Sequence, residues 1–158
     1  MTDGGWPQDW DERKQGKDCP ICVDGRPEEF EFGIRILSTE ETDAYLQKQG
    51  WTRGYSVVIW RGRHVAEPME LAEDEAAAYW RDLLRVGRAI DTYFRPMKIN
   101  LEIHGNTIPH LHTHVLPRYR DDPAPGGPIA WQALRTSDPI PDTTLQRQAT
   151  DLRALLTR

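Results

Sequence analysis

Three histidines alternate over five residues, His110-Leu111-His112-Thr113-His114, and Val115-Leu116-Pro117-Arg118 follows directly. A spacing of two is the period of a β-strand, so the three imidazoles share one face while Leu111, Thr113 and Val115 share the other. A polar strand face or an adventitious metal site can explain one or two such residues. The chain has only five histidines, and three of them stand here. A row of imidazoles can act on a phosphate ester. The ring is partly neutral near physiological pH, so it can attack phosphorus without a strong base beside it. The resulting covalent intermediate splits one hard displacement into two easier ones. Charge on the non-bridging oxygens then calls for preorganised donors. Asn106 and Thr107, in the turn just ahead, are candidates, with simple turn chemistry as the equal alternative. Arg118 could grip a polyphosphate in bidentate fashion or be a solvated strand end.

A second group with chemical potential is Cys19-Pro20-Ile21-Cys22. Such a pair can be half of a zinc site, a redox couple or two inert thiols. A closed zinc site needs four nitrogen or sulfur ligands.

His-x-His-x-His followed by two apolar residues resembles the signature of the histidine triad family of nucleotide-binding hydrolases and transferases. The approach segment, Gly105-Asn106-Thr107-Ile108-Pro109, looks like that family's glycine-led phosphate loop. The resemblance covers about residues 19–120. It implies that the middle histidine, His112, is the nucleophile and that His114 binds phosphate and donates a proton. It also implies a structural zinc ion held by Cys19, Cys22, His64 and His110, as in one bacterial branch, and a homodimer. Many members carry a ribose-binding carboxylate on the second strand; by spacing that position falls near Gln47. The short approach loop and Pro117-Arg118-Tyr119 look more like the dinucleoside-polyphosphate hydrolase side of the family. The implied activity is cleavage of a nucleoside 5′-phosphoanhydride or phosphoramidate at the α-phosphorus, releasing a nucleoside monophosphate. The alternatives are a nucleotidyltransferase, with Trp131 and the loop before it as an acceptor pocket, or a nucleotide-binding adaptor with little catalysis.

The elements that would position these residues follow from pattern. At 158 residues, with 38% hydrophobic and 28% charged content, the chain suits one soluble domain. A net charge of −5 argues against a broad grip on nucleic acid. No apolar run has the length of a membrane span and the N-terminus is not signal-like, which reads as cytoplasmic. Residues 1–18 read as a flexible lead, with a tryptophan-anchored arm (Trp6, Trp10) as the alternative. The single domain is expected over 19–158. Strands are expected at Glu29 to Leu37, Thr42 to Leu46, Tyr55 to Trp60, Lys98 to Ile103 and through the triad. A long helix should start near Ala72 or Glu73 and end by Arg95, because Pro96 disfavours helix before it. A last amphipathic helix is expected over about Asp142 to Leu156. The order implies an α+β fold on a five-stranded antiparallel sheet. The two helices are expected to be partner surfaces.

Overall fold

The computed structural model describes residues 5–49 and 52–157, with the side chains of 133–135 excepted. Trp51, assigned from sequence to the turn before the third strand, lies outside the described residues. Five strands, β1 (Gly33–Ser38), β2 (Thr42–Gln47), β3 (Ser56–Trp60), β4 (Lys98–Ile103) and β5 (His112–Arg118), pair antiparallel in the order β1-β2-β3-β5-β4. Three short helices are α1 (Trp10–Lys14), α2 (Pro20–Asp24) and α4 (Trp131–Thr136). The two longer ones are α3 (Glu73–Phe94) and α5 (Asp142–Leu156). The α+β fold read from sequence is the fold observed.

Alternation sorts β5 as its spacing demands. Thr113 and Val115 are fully buried on the side facing α3, where the Tyr79 hydroxyl lies 2.7 Å from Thr113 Oγ1. Val58, Trp60, Leu83, Val86, Ile90, Leu145 and Leu152 close the same core from the sheet and the two long helices. The histidines are left on the opposite face. Helix α3 begins where its acidic turn predicts: Glu75 accepts a 2.8 Å bond from the Ala72 amide, satisfying one free donor at the positive end. It ends with Arg95 in the left-handed region (φ 50°), just before Pro96.

Two expectations change. The first strand starts at Gly33 rather than Glu29, because Phe30 and Gly33 bond each other across a tight turn. Phe32 is thereby exposed, and the alternation of Phe30 and Phe32 belongs to that turn. The apolar stripe of α5 (Leu145, Ala149, Leu152, Leu156) is buried inside the domain, which leaves the polar side of that helix outward. Helix α3 does keep Trp80 and Leu84 exposed.

The other face of the sheet is arranged by a buried carboxylate. Asp43 on β2 is inaccessible and lies 2.8 Å from both Arg26 and Arg61. Burial pushes its carboxyl up, but the hydrogen bonds from Arg26 and Ser38 and the two positive charges hold it below the ordinary carboxylate value. Arg61 also donates to the Ile21 carbonyl at 3.1 Å, tying α2 to the sheet.

Candidate active site and metal centre

Cys19 caps the start of helix α2, with Cys22 one turn on, so both thiols face the same way. His64 comes from the loop after β3 and His110 from the approach to β5. One donor atom from each of Cys19, Cys22, His64 and His110 lies within 4.8 Å of all the others. His110 Nδ1 is 3.4 Å from Cys19 Sγ and 3.5 Å from Cys22 Sγ, and His64 Nδ1 is 3.5 Å from Cys22 Sγ. A tetrahedron with metal–sulfur and metal–nitrogen bonds of about 2.3 and 2.0 Å has nitrogen–sulfur edges of about 3.5 Å. The three nitrogen–sulfur distances above match those edges, and the remaining pairs lie within 4.8 Å.

The tautomers agree with ligation. His110 Nε2 is 2.8 Å from the Trp60 carbonyl and His64 Nε2 is 3.2 Å from the Lys14 carbonyl. A carbonyl only accepts, so each Nε2 carries the hydrogen and each Nδ1 presents its lone pair to the thiols. Burial lowers the His110 ring to about 4, keeping it neutral as a ligand must be. Partial burial of its sulfur and the adjacent Cys19 thiol push the Cys22 thiol up to about 11.

His112 and His114 stand further along the same face. His112 Nδ1 lies 2.6 Å from the His110 carbonyl, so Nδ1 holds the hydrogen and Nε2 keeps a free lone pair. Burial lowers its pKa, which keeps that lone pair available. His114 Nδ1 is 2.9 Å from the Tyr55 hydroxyl. Burial, with the charge of Glu102 in support, keeps the Tyr55 phenol protonated far above its ordinary range. A protonated phenol can donate to Nδ1, and with that donation the neutral His114 ring carries its hydrogen on Nε2. Burial, with His112 and His104 beside it, lowers His114 to about 3. The pair thus combines a nucleophilic nitrogen with a donor.

Two clefts meet at this pair. One, of about 280 Å³, is lined by apolar and aromatic groups including Phe30, Phe32, Tyr45 and Ile108. Gln47 lines it at the end of β2, where sequence spacing put the ribose position. The same cleft contains the Asp24 carboxylate, which spacing alone did not indicate. The second cleft, of about 370 Å³, is lined by Gly105, Asn106, Thr107, His104 and Trp131. The loop residues anticipated from sequence therefore share a cleft with His112 and His114. Gly105 (φ 112°) makes the turn that aims them.

Arg118 requires correction. It lies in neither cleft and is not a solvated strand end. The residue is buried, pairs with Asp122, and donates to the carbonyls of Gly127 and Ala124 at 2.9 Å each. The Pro/Gly loop folds back over β5 and takes one bond from each of the three Arg118 guanidinium nitrogens. Residues 5–18, read as a lead, form instead the tryptophan-anchored arm. Trp10 Nε1 donates to the Asn106 carbonyl at 2.9 Å, while Gly16 packs on the His64 ring.

Three residues of the site went unread. Tyr55 directly precedes β3, two residues before Val57, and Val57 pairs with His114, so the period-two rule pointed to Tyr55. Glu102 pairs with His114 across β4, which puts His104 beside the triad by the same rule.

The sequence profile of the HIT domain matches residues 33–121. The chain belongs to the histidine triad family. Both thiols of the candidate metal centre lie ahead of the matched stretch. Among curated relatives, this histidine triad protein is 28% identical over 90 residues to "Protein hit" of Bacillus subtilis, covering 54% of this chain and 61% of that one. It is 31% identical over 71 residues to the Arabidopsis thaliana bifunctional bis(5′-adenosyl)-triphosphatase/adenylylsulfatase FHIT, covering 42% and 39%. The chain thus spans less than two thirds of either relative. Among solved structures, a histidine triad protein of Bradyrhizobium japonicum superposes with a TM-score of 0.71 at 23% identity, over 80% of this chain and 92% of that one. A zinc-bound family protein of Mycobacterium smegmatis gives 0.60 at 24%, over 88% and 91%. Among the described residues no helix is long and apolar enough to cross a membrane.

Proposed function

We propose that this histidine triad protein is a nucleotide hydrolase. It cleaves a nucleoside 5′-phosphoanhydride or phosphoramidate, of the diadenosine-polyphosphate kind, and releases a nucleoside monophosphate. The observation that carries this reading is the tautomer of His112, whose Nε2 lone pair is free where the two clefts meet. The nucleoside occupies the apolar cleft, with Gln47 and Asp24 available to the ribose hydroxyls. Nε2 of His112 attacks the α-phosphorus, the bond from phosphorus to the leaving group breaks, and its electron pair departs with that group. Water then attacks the same phosphorus, the P–N bond breaks with its electron pair returning to Nε2, and the water's proton passes to that lone pair and on to solvent. His114 donates from Nε2 to a phosphate oxygen throughout, steadied by Tyr55. Asn106 and Thr107 add neutral donors.

We take Cys19, Cys22, His64 and His110 as the ligands of a structural zinc ion. When bound, zinc would cross-link α2, the loop after β3 and the start of β5; the chemistry uses other atoms. We also propose a cytoplasmic homodimer, supported by the exposed Leu101 on edge strand β4 and by Trp80 and Leu84 on α3. A transferase, in which an acceptor replaces water, is favoured by one observation: the second cleft offers an acceptor room beside His112 and His114.

The test is turnover of diadenosine tetraphosphate, adenosine 5′-phosphoramidate and an acyl-adenylate by wild type and His112→Ala. Adenosine monophosphate release by wild type alone supports the hydrolase. Release only when a phosphorylated acceptor is added selects the transferase. Tight nucleotide binding with no release under either condition leaves a binding protein and sinks the enzymatic reading.

A further inference from the structure

Of the five histidines, the reading above gives two to the metal centre and two to the reaction. The fifth, His104, directly follows β4 and has no role in it. Its Nε2 lies 3.0 Å from Glu102 Oε2, and a carboxylate oxygen only accepts, so Nε2 carries a hydrogen. The ring stands 5.5 Å from that of His114 and 5.1 Å from that of Trp131, while Trp131 stands 4.7 Å from His114. Glu102 is itself fixed: it is the cross-strand neighbour of His114 and accepts from the Ile129 amide at 3.5 Å. His104 is therefore set at a definite place in the wall of the second cleft. A histidine serving as a solvated turn residue would need neither a carboxylate behind it nor an indole across it.

The two clefts differ in chemistry. The first is walled by phenylalanine, tyrosine and aliphatic groups, as suits a nucleoside. The second brings together His104 and the side chains of Asn106 and Thr107, which form no hydrogen bond among the described residues. We propose that this second cleft receives the part of the substrate that departs from the α-phosphorus, that this part is a phosphate-bearing group, and that His104 is the residue that selects for it. Glu102 is its positioning residue. The inference rests on the nucleotidyl-transfer reading above and names the leaving group that site prefers. When the bond to the α-phosphorus breaks, its electron pair goes to the bridging oxygen of the departing phosphate and spreads over that phosphate's oxygens. Such a group leaves without a proton. It needs donors at those oxygens, and His104, the Asn106 amide and the Thr107 hydroxyl line the cleft to meet them. Ammonia leaving from a phosphoramidate carries no phosphate oxygens for those donors to meet.

The test compares kcat/KM for diadenosine tetraphosphate and for adenosine 5′-phosphoramidate in wild type, His104→Ala and His104→Gln, with melting temperatures as a check on folding. The quantity read is the ratio of the two values, which a general loss of structure would not move. Loss of one charge-assisted bond to the departing phosphate should lower the ratio by about tenfold in His104→Ala. An unchanged ratio in both variants, whatever happens to the absolute rates, overturns the proposal. If wild type turns over neither substrate, the hydrolase reading has failed, and inorganic tripolyphosphate is titrated by calorimetry instead. Weaker binding to His104→Ala than to wild type then keeps the cleft as an anion site. Equal binding, or none to wild type, removes it.

Discussion

Replacing Tyr55 by phenylalanine removes one oxygen atom and leaves the ring, so the consequence follows from a single bond. That bond joins the phenol to His114 Nδ1 at 2.9 Å, in a region where Tyr55 is buried beside Leu116, Ile129 and Trp131. With the phenol donating, it fixes the neutral His114 ring with its hydrogen on Nε2, ready to donate to a phosphate oxygen. Without it, Nδ1 has no partner, and the ring can carry its hydrogen on either nitrogen. A neutral hydrogen bond contributes about 0.5–1.5 kcal/mol net, and a buried group left unpaired costs about 1–3 kcal/mol. Part of that cost is recovered when the ring changes tautomer or admits water, so about 0.7–2 kcal/mol of transition-state stabilisation should be lost. This corresponds to a roughly three- to thirtyfold drop in kcat. Steady-state kinetics on the preferred substrate, with circular dichroism to confirm the fold, measure it. A Tyr55→Phe enzyme within about twofold of wild type would refute the assignment of the His114 tautomer to the phenol.

Other consequences are as specific. Gly16 has φ +91°, and a Cβ there would sit 3.0 Å from His64 Cγ. Gly16→Ala should therefore displace a ligand ring and weaken zinc binding by about tenfold, measured by competition with a chromophoric chelator; unchanged affinity would detach the arm from the metal centre. Arg118→Ala should lower the melting temperature and loosen the loop through residue 128, with Trp131 fluorescence reporting it. A stable variant with only a raised KM for polyphosphate would restore a substrate role. Acid should destabilise the fold. His114 is lowered to about 3 from 6.5 when folded, so between those values the unfolded chain binds more protons and stability falls as pH drops. Asp43, held below 3.8, loses its contribution as pH falls through its own range, in the same direction. Urea midpoints that stay flat between about pH 6.5 and 4 would contradict the buried, neutral state of His114.

What could be read from the sequence was what repeats locally. The period of two in His110 to His114 placed the imidazoles on one face because the strand's own geometry enforces it. The acidic turn and Pro96 bracketed α3 for reasons contained within α3. What escaped depended on how loops fold and on segments that meet across the chain. Nothing near Arg118 in the sequence says that Ala124 and Gly127 fold back to take its donors. Likewise Trp10 finds the Asn106 carbonyl across more than ninety residues. The Cys-x-x-Cys pair alone could not name its partners; the family resemblance implied His64 and His110, and the geometry brings all four donor atoms together. Tyr55 and His104 lie between these cases. Their faces followed from alternation, but only once the pairings of β3 and β4 with β5 were known.

The central claim is that His112 Nε2 takes the nucleotidyl group. Wild-type protein mixed with excess diadenosine tetraphosphate, quenched in alkali to preserve an acid-labile P–N bond, and digested for mass spectrometry tests it most directly. The account predicts an adenylyl adduct on the peptide containing His112, absent in His112→Ala, which should also release no adenosine monophosphate. An adduct on another residue, or steady hydrolysis by His112→Ala, would contradict it.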